Sequence, residues 1–273
     1  MIDVETTNLR KWKSLIGWLQ NFDRIGVALS GGVDSALVCC AAVQALGTEH
    51  VKAFTIVSPM EIPQEVEDAR QIADQLGVEL ISIPLDELEN DEIRSNPSRR
   101  CYYCKFIRLE KISDQAARLG ITQVVDGSNA DDSGDYRPGR QALQELGVLS
   151  PLAETGITKT EVRQLAKWQN LPVWDKPSTP CLASRFPYGV EISRRRLEQV
   201  ACAEALLKEM GHKELRVRYH ESVARIEVPA ECFELVIAQR EEIVRAIKNC
   251  GFLYVTLDLQ GFRSGSMNEG LQQ

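Results

Sequence analysis

A chain of 273 residues suffices for one large domain and a smaller one, and it can bury a core without disulfide or metal staples. Its 32 Lys and Arg against 39 Asp and Glu leave a formal charge of −7, which gives no global field to draw in nucleic acid or an anionic membrane. Met1 to Arg10 carry acids and polar groups rather than a basic stretch before an apolar core, and no run approaches about 18 apolar residues, so a cytoplasmic protein without a membrane or nucleic-acid partner is expected.

In chain order, Arg24 to Leu29 reads as a strand and Asp34 to Leu46 as a largely apolar helix that Gly47 closes. Val51 to Val57 is the next strand. Gln64 to Leu76 is amphipathic, with Val66, Ala69, Ile72, Ala73 and Leu76 at helical spacing, and Gly77 stops it. Val78 to Ile83 is a third strand. Asp86 to Arg100 is polar and broken by Pro97, an irregular excursion that delivers Cys101 and Cys104 to the start of a helix running to about Leu119. Thr122 to Val125 is a short buried strand, followed by the polar loop Asp126 to Asp132. Val148 to Leu152 is a candidate strand, and Thr158 to Gln169 a helix with Thr158 as its cap.

Strands alternating with helices predict a doubly wound parallel sheet, with functional loops at the C-terminal ends of its strands. The stretch Lys176 to Gly189 holds three prolines with Cys181, Ser184, Arg185 and Tyr188 and shows no regular period, so the domain boundary is placed at its end: 1–189 and 190–273. Beyond it come a helix over Ser193 to Met210, strands Leu215 to Tyr219 and Val223 to Val228, a helix over about Cys232 to Lys248, and a strand Leu253 to Leu259, a small α+β unit. With 12 Lys and Arg against 13 Asp and Glu over residues 190–273, that unit is close to neutral.

Ser30-Gly31-Gly32-Val33-Asp34-Ser35 follows the first strand and opens a helix. Such a turn places backbone N–H groups and the positive helix end around an anion. The glycines allow close approach, and Ser30 and Ser35 add hydroxyls. The loop has neither the Gly-Lys-Ser/Thr of a Walker A motif nor the Gly-x-Gly-x-x-Gly of a dinucleotide fold. It resembles the signature of the PP-loop ATP pyrophosphatases, which cleave ATP between the α and β phosphates. The resemblance implies ATP and Mg²⁺ as cofactors, with Asp34 helping to hold the cation. It also implies an adenine pocket at Ser58, a later acidic loop at Asp126, Gly127, Asp131 and Asp132, with Asp131 a second candidate for Mg²⁺, and a phosphate contact at Lys159.

The eight cysteines, in a chain without a signal peptide, are expected as reduced thiols or metal ligands rather than a disulfide framework. Cys39, Cys40, Cys202, Cys232 and Cys250 read as small buried hydrophobes. Cys101 and Cys104 have the spacing of a zinc site, a redox pair or a cluster, and Cys181 is a candidate third ligand. Only His50, His212 and His220 are available to complete a zinc site, and none lies near these cysteines in sequence. A [4Fe–4S] cluster on Cys101, Cys104 and Cys181 leaves one iron to carry a sulfide; zinc, persulfide or sacrificial chemistry at Cys181, and a plain thiol site are the other readings.

SGGVDS, DGSNADDSGDYRPG, PCLASRFPYG, RVRYH and TLDLQGFRSG together resemble the LarE-type ATP-dependent sulfur transferases of nickel-pincer nucleotide biosynthesis over nearly the whole chain. The resemblance implies a PP-loop, adenine nucleotide alpha hydrolase-like domain, a nucleotide substrate, and homo-oligomers of trimers paired into hexamers. It also implies adenylation of a carboxylate of pyridinium-3,5-biscarboxylic acid mononucleotide and its conversion to a thiocarboxylate. Cys101, Cys104 and Cys181 place the sequence with a three-cysteine, cluster-bearing group; the sulfide source is not implied. Such a substrate calls for arginines. Arg216 and Arg218 share a strand face, Arg263 lies in a glycine-flanked turn, and Ser184 and Arg185 are further candidates. The alternatives are a tRNA thiolase, an ammonia-using synthetase, or a nucleotide-binding module with structural zinc.

Overall fold

The computed structural model describes residues 4–133 and 139–263. Of the motifs above, residues 134–138 and the Ser264 and Gly265 that end the last one lie outside the described residues. The chain divides into two compact units. One runs to Asp86 and resumes over Cys101–Thr179; the other holds Glu87–Arg100 and the chain from Pro180.

The elements of the first part of the chain are α1 (Val4–Leu19), β1 (Ile25–Ala28), α2 (Val33–Leu46), β2 (Val51–Val57), α3 (Pro63–Leu76), β3 (Glu79–Pro84), the single turn α4 (Asp91–Arg94), α5 (Arg100–Arg118) and β4 (Gln123–Val125). The short α6 (Gly139–Glu145) and α7 (Pro151–Glu154) precede α8 (Lys159–Trp168). Four strands form a parallel sheet in the order β3-β2-β1-β4, as the alternating pattern requires. Alternation along β2 splits the core in two. Val51 and Ala53 join α1, α2, α3 and α8 on one face, while Phe54 and Ile56 join Leu109, Ile112 and Ala116 of α5 on the other. α2 is apolar nearly all round because it is buried, with Val33 and Ser35 to Ala42 buried apart from Asp34. α1 adds Trp12, Leu15 and Leu19, and the Trp12 indole donates to Gln44 at 2.7 Å.

The expected strand at Val148–Leu152 reduces to one parallel bridge, Val125 to Leu149, because Pro151 starts a helical turn there. Thr158 caps α8 in a full capping box with Glu161.

The second unit packs α9 (Arg194–Glu209) on a three-stranded sheet of β5 (Arg216–His220), β6 (Val223–Glu227) and β7 (Tyr254–Leu257). β5 and β6 are antiparallel and β6 and β7 parallel. Leu197, Val200, Ala203 and Leu207 are the buried stripe of α9. The single helix expected near 232–248 is two, α10 (Phe233–Ala238) and α11 (Arg240–Asn249). The chain leaves helical geometry at Gln239 (φ −93°, ψ 8°), whose side chain bonds His212 Nε2 at 2.8 Å. Glu87–Arg100 is laced into this unit. Asn96 is fully buried with φ +54° and donates to Pro187 O at 2.7 Å, while Gly189 N donates to Asn96 O and Ile192 N to Arg94 O, each at 2.8 Å.

The cysteines require a correction. Cys202 on α9 and Cys250 at the end of α11 are joined by a disulfide, with Cα atoms 6.0 Å apart, because α11 packs along α9. Cys39 and Cys40 are buried thiols as expected, and burial pushes them up to about 12 and about 11. Among the described residues no helix is long and apolar enough to cross a membrane.

Candidate functional site

The loop after β1 is shaped by its glycines. Gly31 has φ +77°, and a Cβ there would lie 2.1 Å from the carbonyl oxygen of Glu65 and 3.1 Å from the amide of Ala69, so the loop rests directly on the first turns of α3. Gly32 caps α2 with no side-chain hydrogen bond, which leaves first-turn N–H groups for an external acceptor. Ser35 Oγ ties the loop together, donating to Gly32 O at 3.1 Å and accepting from Ser30 N at 3.1 Å. Ser30 Oγ also lies 3.1 Å from Ser35 Oγ.

The loop after β4 closes over the start of α2. A Cβ on Gly127 would meet Ser35 N at 2.6 Å, so only glycine permits this approach. Asn129 Nδ2 donates to Asp34 Oδ1 at 3.0 Å, and Lys159 Nζ pairs with Asp34 Oδ2. Lys159 N donates to Asp131 Oδ2 at 2.8 Å. Asp34, Gly127, Asp131 and Lys159, spread over 126 residues of sequence, are thus one cluster. Asp34 at the helix start and Asp131 beside Lys159 are carboxylates of the kind Mg²⁺ takes together with phosphate oxygens.

Behind this cluster Asp126 is buried and saturated. It accepts from Lys105 Nζ at 2.9 Å, Ser150 Oγ at 2.6 Å, Ser128 Oγ at 2.7 Å and Ser128 N at 3.1 Å. Burial alone would raise its pKa, but the Lys105 ammonium and the serine hydrogen bonds outweigh it and hold the carboxyl below its ordinary value. Ser58 sits past the end of β2, where its Oγ accepts from Met60 N at 3.0 Å. Arg108, paired with Glu61, comes within 3.5 Å of the same oxygen.

Cys101 and Cys104 lie in the first turn of α5, with Cys101 exposed and Cys104 buried. Positions three apart share a helix face, so the pair fits two ligands of one site. Among the described residues, however, no group of three or more His, Cys, Asp or Glu is gathered to hold a metal ion. Cys101 and Cys104 belong to the first unit, and Cys181, the third ligand expected from the sequence, to the second.

The remaining candidates belong to the second unit. Cys181 is half-buried at the start of a 3-10 turn, Leu182–Arg185. Arg185 is 1% exposed. Its Nε and Nη2 grip both carboxylate oxygens of Glu204 at 2.8 Å, and its Nη1 donates to Pro180 O at 2.7 Å, Cys181 O at 3.2 Å and Ser184 Oγ at 2.9 Å. Every side-chain nitrogen of Arg185 is thus engaged in fixing the Cys181 turn. Arg218 is also buried, bonded to Glu227 and, at 2.7 Å, to Ser184 O. Arg216 differs. It lies 4.9 Å over the Phe262 ring, has no ion-pair partner among the described residues, and is lowered to about 10, first by burial and then by Arg185 and Arg218. A half-buried guanidinium with no carboxylate of its own, beside Arg185 and Arg218 that are paired with Glu204 and Glu227, is a place an anion can occupy. Arg263, half-buried beyond β7, donates to Gly261 O at 3.3 Å.

Sequence reasoning missed Asn129 as a partner of Asp34, Glu204 as the partner of Arg185, and Lys176. The last donates to Gly31 O at 3.1 Å while pairing with Glu65 and Asp68. Its only signal was a place in the proline-rich stretch that also carries Cys181.

A family model described as NAD synthase matches residues 18–96. An uncharacterised protein of Synechocystis sp. is 43% identical over 273 residues, covering 99% of each chain. The pyridinium-3,5-bisthiocarboxylic acid mononucleotide synthase of Lactiplantibacillus plantarum is 38% identical over 261 residues, covering 96% of this chain and 95% of that one. The structure of NMN synthetase from Francisella tularensis superposes with a TM-score of 0.52 at 20% identity, over 63% of this chain and 75% of that one, a likeness of fold.

Proposed function

The chain belongs to the family of pyridinium-3,5-bisthiocarboxylic acid mononucleotide synthase, and from that premise we propose that it is an ATP-dependent, AMP- and pyrophosphate-forming sulfur transferase. Its substrate is pyridinium-3,5-biscarboxylic acid mononucleotide. A substrate carboxylate oxygen attacks the α-phosphorus of ATP, pyrophosphate leaves, and a sulfur nucleophile then displaces AMP to give the thiocarboxylate. The observation that carries this reading is the uncapped loop Ser30–Ser35 closed by Gly127 and Asp34–Lys159, in a chain that aligns with that synthase over 96% of its length.

Carboxylate oxygen is a poor leaving group, and joining it to AMP makes its departure feasible. The amides of Gly32 and the first turn of α2 stabilise the charge that develops on pyrophosphate. Lys159, released from Asp34, adds a cation to the same end of the loop. Mg²⁺, held by Asp34 and Asp131, would neutralise phosphate charge. In this reading Ser58 borders the adenine, and Arg216, supported by the buried Arg218 and Arg185, receives the substrate's phosphate or a carboxylate, with Ser184, whose carbonyl Arg218 holds, and Arg263, which follows the Phe262 under Arg216. The sulfur is carried by cysteine. The three-cysteine set of Cys101, Cys104 and Cys181 in the sequence supports a [4Fe–4S] cluster as the finer form of this reading, which would supply the sulfur if bound there.

The test is Cys181→Ala, assayed with ATP and the dicarboxylate nucleotide. Pyrophosphate release should persist for the first turnover while thiocarboxylate formation stops. Undiminished thiocarboxylate would remove Cys181 from the chemistry. Iron and sulfide analysis of anaerobically purified protein decides the finer form: about four of each per chain supports the cluster, and colourless protein with stoichiometric zinc excludes it.

A further inference from the structure

Lys176 is the feature of the first unit that the proposed chemistry does not use. Its ammonium donates to Gly31 O at 3.1 Å, pairs with Glu65 at 2.8 Å and also pairs with Asp68. These groups are largely buried: the side chains of Lys176, Glu65 and Asp68 are 18%, 12% and 14% exposed. The backbone that presents Lys176 is itself held. Arg163 on α8 donates through Nη1 to Trp174 O at 3.1 Å and through Nη2 to Lys176 O at 2.8 Å, and Lys176 N donates to Val173 O at 3.2 Å. α8 thus presents Lys159 to one end of the phosphate loop from its first residue, and steadies Lys176 at the other through its fifth.

In a trans peptide the carbonyl and the following N–H point to opposite sides. A lysine that fixes the Gly31 carbonyl on the α3 side of the loop therefore turns the Gly32 N–H to the side away from α3, where the uncapped first turn of α2 begins. The charges exclude a simpler role. The Lys176 ammonium is taken up by Glu65, Asp68 and the Gly31 carbonyl rather than directed at a phosphate. We infer that Lys176 is a positioning residue, which holds the Gly31–Gly32 peptide in the orientation that binds the pyrophosphate half of ATP. The inference rests on the proposed phosphate-binding role of the loop and is independent of the sulfur chemistry.

The test is calorimetric titration of the full chain with inorganic pyrophosphate, ATP and AMP, each with Mg²⁺, alongside the thermal unfolding midpoint of every variant. Lys176→Met should weaken pyrophosphate and ATP by roughly tenfold to a hundredfold, the loss of one charge-assisted hydrogen bond, with AMP affected less than threefold on the order of experimental scatter. The triple variant Lys176→Met, Glu65→Gln, Asp68→Asn removes the carboxylates left behind, restores a neutral backing if the single variant is unstable, and should stay weak for pyrophosphate because the carbonyl is still not held. Wild-type affinity in Lys176→Met would overturn the inference. So would recovery in the triple variant, which would mean that the lysine only neutralises Glu65 and Asp68. A wild-type chain that binds neither ATP nor pyrophosphate would instead refute the phosphate-loop assignment itself.

Discussion

Gly31 and Gly32 are adjacent and identical, yet the structure gives them different work, and alanine at each should fail differently. At Gly31, φ is +77°, which costs an L-residue about 1–2 kcal/mol. The added Cβ would also sit 2.1 Å from Glu65 O and 3.1 Å from Ala69 N. Both are backbone atoms of α3 and cannot swing aside, so relief requires the helix or the loop to move, at about 1–3 kcal/mol for overpacking. Gly31→Ala should therefore lose about 2–5 kcal/mol. At Gly32, φ is −87° and ψ 160°, ordinary extended backbone, and a Cβ would meet only Ser30 Oγ at 3.5 Å. Gly32→Ala should stay within about 0.5 kcal/mol of wild type in stability. Its methyl group would occupy the approach to the uncapped helix start and lower ATP affinity by at least about tenfold. Urea unfolding measures the first quantity and calorimetry with ATP the second. A Gly31→Ala protein as stable as wild type would refute the close seat on α3. A Gly32→Ala protein that binds ATP normally would refute the placement of phosphate at this loop.

Two further outcomes follow from the surroundings of single groups. Asp126 has a carboxyl held below its ordinary value, so its stabilisation is complete above the unfolded pKa of about 3.9 and is lost as pH falls through the lower folded value. Asp126→Asn should flatten that acid limb of the stability curve; unfolding midpoints from pH 7 to pH 3 that run parallel to wild type would contradict it. The Cys202–Cys250 bridge closes a loop with a sequence separation of 48, worth about 4 kcal/mol by chain entropy. Cys250→Ser should lower stability by about that amount in oxidised protein, and reductant should bring wild type down to the variant. Equal stability of variant and oxidised wild type would show that the bridge does not form.

What the sequence revealed was local. Period and turn chemistry marked β1 to β4, the apolar α2 and the Thr158 cap, because each depends on neighbours within one turn or one strand. The spacing of Trp12, Leu15 and Leu19, the buried stripe of α1, is a local signal of the same kind. The rest depended on partners distant in the chain. Arg185 in the Pro-Cys-Leu-Ala-Ser-Arg turn looks like a substrate arginine until Glu204, 19 residues on, is found to take its guanidinium. Cys202 and Cys250 read as separate thiols until α11 lies along α9. Asp86–Arg100 reads only as an irregular approach to the helix of Cys101 and Cys104, because the carbonyls and amides that receive residues 87–100 lie near Gly189. The Ser30–Ser35 loop was legible as a motif, whereas its contact with Lys176 was not, since a lysine next to Pro177 carries no local signal of its target.

The central claim is that this loop drives cleavage of ATP between its α and β phosphates to activate a carboxylate. The most direct measurement supplies ATP, Mg²⁺, a sulfide source and pyridinium-3,5-biscarboxylic acid mononucleotide to the full chain under anaerobic conditions and identifies the nucleotide products. AMP and pyrophosphate, formed only with the dicarboxylate nucleotide and accompanied by its thiocarboxylate, are the expected result. ADP and inorganic phosphate, or AMP formation indifferent to the dicarboxylate nucleotide, would contradict the account.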